Sequence, residues 1–294
     1  RDVASSRGLG DVYKRQLAVV EHYLPRGAGD ALPGSDAGAV VALAERLELL
    51  LSIFAKGERP SGSSDPYALR RAGNGILLIL WDRRWRLDLP TFLKAAVADW
   101  VKLFPHFAIE PGPLLADLLQ LLRQRIVSQL EEDGYEPDLV QAVAGEGVTD
   151  ARLLGDPMDV QERIQLLRAL RQQGGLAAVQ AVVQRAARLA EKGNLPEDTL
   201  ALPGVVDPDR FESVSEQGMF DVLKQLEPLA AERRYQALSD GLVKATPVLE
   251  AFFDGENSVM VMAEDEDLRR NRLNLLGVLR NQASVLARFE LIQS

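Results

Sequence analysis

Arginine is the residue type with the most chemistry to offer in this chain, and one cluster of it lies near the C-terminus. Arg269, Arg270 and Arg272 follow four consecutive acids, Glu264, Asp265, Glu266 and Asp267, and Arg280 comes two turns later. Guanidinium groups bind phosphate bidentately and stack flat on unpaired bases. An arginine face on a helix is therefore suited to an RNA loop, where bases are splayed out and phosphates lie close together. On spacing alone the same residues also read as a solvated face closed by local ion pairs, with Glu266 and Arg270 at i,i+4.

Other chemistries lack their residues. Cysteine is absent, so there is no disulfide framework and no thiolate metal site. The two histidines, His22 and His106, are isolated, which argues against a histidine metal centre or a Ser-His-Asp arrangement; His22 reads as structural and His106 as packed or exposed at a turn. Gly8-Leu9-Gly10 lacks the third glycine of a dinucleotide loop, and Gly73-Asn74-Gly75 sits inside a helical pattern, where it reads as a relief of packing. The net charge of −9 argues against a non-specific nucleic-acid binder, so any RNA contact must rest on local arginine clusters. No apolar run is long enough to span a membrane, the strongest being residues 75–81.

The elements that position these residues are expected to be helices. The 294 residues suffice for two or three domains; 47% are hydrophobic and 6% aromatic, with leucine and alanine abundant. The acids at 264–267 suit the positive end of a helix. Behind them Leu268, Leu275, Leu279 and Leu286 recur at seven, four and seven residues, one stripe of a helix packed on one side. Upstream, apolar spacing predicts helices at 37–54, after Asp65-Pro66, at 87–103, 114–130, 160–170 and 176–191, and from Glu136-Pro137-Asp138. Further helical segments are expected at 229–238 and 241–253. Pro105, Pro111 and Pro113 suggest a domain edge, and the proline-rich stretch 193–208 suggests a linker. Residues 1–16 show no apolar periodicity and no initiating Met, and are expected to be junction sequence.

Two ordered stretches carry a family resemblance. The first is Phe252-Phe253-Asp254, then Val259-Met260-Val261-Met262, then Asp-Leu-Arg-Arg-Asn-Arg-Leu-Asn-Leu-Leu at 267–276. It resembles the C-terminal anticodon-binding domain of the β subunit of bacterial tetrameric glycyl-tRNA synthetase. The second comprises Glu21 to Arg26, Gly29-Asp30, Leu43-Ala44, Ile53-Phe54, Ser61-Gly62-Ser63 and Asp65-Pro66-Tyr67-Ala68-Leu69-Arg70-Arg71-Ala72. It resembles the HD-like helical domain of the same subunit.

The resemblance implies an all-α chain, with an HD-like domain at 17–104, a helical linker or body region at 105–192 and an anticodon-binding helical domain at 193–294. It implies tRNA contact by Arg269, Arg270, Asn271, Arg272 and Arg280, with Arg70 and Arg71 as a weaker second patch. Asn271 and part of the Arg-x-Asn-Arg core are alternatively packing residues. The implied partners are tRNA(Gly), the α subunit and a second β subunit in an α2β2 assembly, in the cytoplasm. The chain itself is expected to hold no cofactor and no catalytic residue, because ATP and Mg2+ serve glycine activation on the α subunit. It is not expected to charge tRNA alone. HD domains also raise a metal phosphohydrolase, but Glu45 and Glu48 stand without companion histidines, and Glu48 replaces an expected Asp. A helical interaction module with no RNA role is the remaining alternative.

Overall fold

Leucines and alanines at three- and four-residue spacing become twelve α-helices, and among the described residues there is no β-strand, only an isolated bridge between Ser61 and Ser64. The computed structural model describes residues 2–293, with side chains from Val12 onward. The expected all-α class is what the chain adopts. It divides into two compact units. One comprises residues up to Gly134 together with Glu146–Gln161; the other comprises Tyr135–Gly145 and Glu162–Ser294.

The first unit contains α1 (Asp2–Glu21), α2 (Asp36–Ala55), α3 (Leu69–Arg83), α4 (Leu89–Leu103) and α5 (Pro111–Glu132). Segment 1–16 thus lies, from Asp2, within the backbone of α1, and its side chains before Val12 are outside the described residues. Helix α3 is the hub, with Ile76, Leu77, Ile79 and Leu80 almost wholly buried against α2 and α5. Its start is fixed from outside the helix: Asp65 accepts hydrogen bonds from Leu69 N at 2.7 Å and Arg70 N at 3.0 Å. Asp65 is therefore the expected cap, acting across a turn that begins α3 at Leu69 rather than at Pro66. At α2 the cap is Ser35; Ser35 Oγ accepts from Gly38 N at 3.0 Å, and buried Glu21 in turn holds Gly34 N and Ser35 N. Gly73 and Gly75 do relieve packing. A Cβ on them would stand 2.8 Å from Arg125 Cγ and 2.4 Å from Arg46 Nε. Buried Arg46 donates to the carbonyls of His22, Ala42, Tyr23 and Pro25.

The prolines at 105, 111 and 113 do not separate domains. Pro105 and Pro111 open a 3-10 turn and α5, where a missing N–H costs nothing, and α5 packs on α2, α3 and α4 within the same unit.

The second unit contains α6 (Pro137–Ala144), α9 (Leu176–Ala190), α10 (Val214–Ala231), α11 (Tyr235–Phe253) and α12 (Glu266–Ser284), with most of α8 (Pro157–Gln172). A short α7 (Asp150–Leu153) belongs to the first unit. The break expected before residue 241 is absent. The chain turns at Arg233, with φ +54°, and Gly241 lies inside α11, where a Cβ would meet Leu226 Cδ2 at 2.7 Å. The glycine marks a close approach of α10 to α11.

Helix α12 packs on α9 and α10 and is buried on nearly every side between Asn271 and Ala283. The expected one-sided leucine stripe is thus only part of its burial. The reason is the segment 193–212, which is not a free linker. It lies on α12, and the polar residues of α12 supply donors to its irregular backbone. Asn274 Nδ2 donates to Val205 O at 2.6 Å, Asn281 Nδ2 to Pro196 O at 2.7 Å and Thr199 O at 2.9 Å, and Gln282 Nε2 to Leu200 O at 2.8 Å. Gly277 lets Leu195 approach, since a Cβ there would stand 2.7 Å from Leu195 Cδ2. Replacing Asn281 by Ala removes both donors from two packed carbonyls. We expect a loss of about 2–4 kcal/mol in urea unfolding and faster amide exchange across 195–200; stability within 0.5 kcal/mol of wild type, as for an ordinary surface change, would refute the strap's dependence on this residue.

Candidate nucleic-acid interface

The arginine helix begins as the acids predict. Asp265 is the N-cap of α12, accepting from Leu268 N at 2.9 Å, and this bond holds its carboxyl below the usual range. From here the expected site residues part company according to which way each side chain leaves the helix.

Arg272 turns inward. Its Nε donates to Glu216 Oε1 at 2.8 Å, its Nη2 to Glu212 Oε2 at 2.9 Å and its Nη1 to Met260 O at 3.1 Å. Its side chain is 6% exposed and that of Glu216 is wholly buried. Burial alone would lower the Arg272 pKa, but the hydrogen bonds and charges of Glu216 and Glu212 outweigh it and raise the pKa above its ordinary value. The other oxygen of Glu216 accepts from Glu212 N and Ser213 N at 2.8 and 2.9 Å, the reciprocal half of a capping box at the start of α10. Arg272 therefore ties α12 to the first turn of α10 and to the 259–262 run. In that run Val261 points in while Met260 and Met262 are exposed.

Asn271 is also an internal anchor. Its Oδ1 accepts from Asp207 N at 2.7 Å and its Nδ2 donates to Asp207 O at 2.9 Å. Arg280 is half-buried, donating to Leu195 O at 3.3 Å and Asn281 Oδ1 at 2.9 Å. Asn271 and Arg272 sit where the packing reading of the Arg-x-Asn-Arg core would have them, and Arg280, outside that core, is in part a packing residue too.

Arg269 and Arg270 remain outside. The Arg270 side chain is 70% exposed and pairs with Asp267 at 2.7 Å, not with Glu266 as i,i+4 spacing suggests. Arg269 is 34% exposed, lies 3.7 Å from Glu266 and donates to Ala263 O at 3.3 Å. Exposed pairs of this kind contribute little and exchange readily for a phosphate. In the first unit Arg71 is exposed, while Arg70 is half-buried with Nη2 on Gly62 O at 2.7 Å. Glu45 and Glu48 are exposed, and among the described residues no three His, Asp or Glu side chains converge as a metal site. No helix there is long and apolar enough to cross a membrane.

Sequence reading missed Glu216 as the partner of Arg272. The signal for its helix position was present in Ser213-x-x-Glu216, but the pairing joins residues 56 apart in sequence.

The fold and this surface define an all-helical protein in which polar contacts between residues 56 to 85 apart in sequence anchor one arginine-bearing helix. Residues 12–145 match the family model described as glycyl-tRNA synthetase beta subunit. The glycine–tRNA ligase beta subunits of a Picosynechococcus species and of Acaryochloris marina are each 46% identical to the chain, over 92% and 95% of its length and 38% and 40% of their own. That of Pseudomonas syringae pv. syringae is 35% identical over 90% of the chain and 36% of the relative. Over the stretch these comparisons cover, the chain is similar to glycyl-tRNA synthetase β subunits, the family that its two motifs resemble. It spans about two fifths of the length of these relatives.

An anchoring Arg272 has a distinctive energetic signature. Arg272→Met leaves the Glu216 carboxylate buried and unpaired, so unfolding stability should fall by about 3–5 kcal/mol. Adding Glu216→Gln, which keeps an acceptor for the capping bonds, should recover a large part of that loss. A double variant no more stable than Arg272→Met alone would show that the pair does not anchor α12.

Proposed function

We propose that this chain is the tRNA-recognition part of a glycine–tRNA ligase β subunit. In this reading it helps attach glycine to tRNA(Gly) and is not itself catalytic. Glycine activation, with its ATP and Mg2+, belongs to a separate α subunit, the assembly is α2β2 and the compartment is the cytoplasm. The observation that carries the proposal is similarity to proteins of that name over nine tenths of the chain.

Physical chemistry narrows the contact. With a net charge of −9 the chain has no long-range attraction for RNA, so recognition must come from a few guanidinium groups at short range. In the second unit, Arg270 near the start of α12 is the expected residue with an exposed head, and half-buried Arg269 and Arg280 are available only in part. Arg272 and Asn271 serve the reading indirectly, by fixing the helix that presents them. In the first unit Arg71, with Arg70, is the second expected contact. The phosphohydrolase alternative finds no support in the exposed, unaccompanied Glu45 and Glu48.

The test is filter binding of tRNA(Gly) to the full chain across a salt series. The wild-type chain should bind in a salt-sensitive way. Arg269→Ala with Arg270→Ala should lower affinity about tenfold at 0.1 M salt and flatten the log–log salt slope by about one to two, at unchanged thermal stability. Unchanged binding by that double variant would remove the α12 contact from the proposal. No binding by the wild-type chain, with no contribution to glycylation when it is joined to the rest of a β subunit and co-expressed with an α subunit, would remove the RNA role altogether.

A further inference from the structure

Arg125, in the first unit, is a half-buried arginine whose bonding falls short of its burial. Its stem lies flat on α3, because Gly73 offers no side chain at the crossing with α5. This brings its guanidinium into the field of Arg70, one turn before Gly73 on α3. Burial first, and the Arg70 charge second, push the Arg125 pKa below its ordinary value; Glu132 and Asp65 act in the other direction. Neither acid forms an ion pair with it. Asp65 instead holds Leu69 N and Arg70 N. The hydrogen bond Arg125 does make is from Nη2 to Ser128 Oγ, at 3.2 Å. Its Nε is buried with no acceptor.

The buried arginines Arg46 and Arg272 differ from half-buried Arg125. Arg46 has four carbonyls and Arg272 has two carboxylates and a carbonyl. A buried N–H left without an acceptor is costly, and two guanidiniums in mutual repulsion add to the cost. An anion with several oxygens, held by the outer guanidinium nitrogens, relieves the repulsion. Phosphate oxygens match the planar fork of a guanidinium, and two forks can share one phosphate.

We propose that Arg125 and Arg70, flanked by exposed Arg71, form a phosphate-binding site on the first unit, at the crossing of α3 and α5 over Gly73. Its ligand is a backbone phosphodiester of RNA, an assignment that rests on the function proposed above. Arg125 is the fixed, partly desolvated member. Arg70 is the second fork, held by Gly62 O, and Arg71 is the rim charge.

The experiment follows the Nε–Hε resonance of Arg125 in the full chain, assigned through Arg125→Gln, during titration with inorganic phosphate and, separately, with a tRNA(Gly) transcript. Both should move it, and Arg70→Gln should weaken the phosphate response at least threefold. In filter binding, Arg70→Gln with Arg125→Gln should lower RNA affinity about tenfold and flatten the salt slope by about 1.5. If Arg125→Gln does not fold, Arg70→Gln carries the binding arm alone. A resonance that moves with phosphate but not with RNA overturns the RNA assignment and, with it, the contribution of this unit to the function proposed above, while the phosphate site stands. A resonance moved by neither ligand, in a chain that still binds RNA, overturns the site and leaves that function untouched.

Discussion

The second unit depends on side-chain donors that reach from α12 into backbone that has no regular structure. Segment 193–212 carries several prolines and, apart from the 3-10 turn Pro208–Arg210, has no helix or sheet ladder to satisfy its carbonyls. Packed against a helix, those groups would lose water with nothing in return, at a cost of about 1–3 kcal/mol each. Asn271, Asn274, Asn281, Gln282 and Arg280 remove that cost by bonding Asp207, Val205, Pro196, Thr199, Leu200 and Leu195. The same principle recurs at the end of the chain, where Gln180 and Gln184 donate to Ile292 O at 2.6 and 3.1 Å. Amides suit the task because they are neutral and carry both donor and acceptor. Asn271 uses both on a single peptide unit.

This constraint explains what could and could not be seen in the sequence. Most helix positions were legible, because apolar spacing and caps are local: Asp65 and Asp265 stand before the helix starts they signal, whereas the segment expected at 229–238 is divided by the turn at Arg233. The faces of α12 were not. Asn, Gln and Arg are ordinarily surface residues, so a helix carrying them reads as half-solvated. Their acceptors lie 56 to 85 residues away in sequence, and no local pattern encodes such a pairing. The same distance problem misassigned the punctuation. Pro111 is a helix start, Gly241 is a contact and 193–208 is a bound strap, although each has the composition of a boundary.

The candidate site was legible as a set of residue types, and less so as a surface. The motif at 267–276 placed arginine at four positions along α12, counting Arg280 just beyond it, but orientation alone divides them. Successive residues on a helix diverge by about 100°, so Arg269 and Arg270 can face water while Asn271 and Arg272 cannot. A motif of this kind mixes residues that make a contact with residues that hold the contacting helix still. Burying the second group has a benefit for recognition. A guanidinium presented from a helix locked at both ends loses less entropy on binding than one on a mobile loop.

The acidity of the chain then bears on how such a surface can work. Each exposed arginine of α12 already has a carboxylate beside it, Glu266 or Asp267. A phosphate must displace that partner, so the net gain per contact is small and falls as salt rises. Arg125 differs in kind, because no carboxylate pairs with it and its Nε has nothing to give up. A site of that type gains more per phosphate than an exposed, pre-paired arginine. On these grounds an acidic chain with few free cations would recognise RNA through a small number of unequal contacts, the strongest being the guanidinium that folding has left unsatisfied.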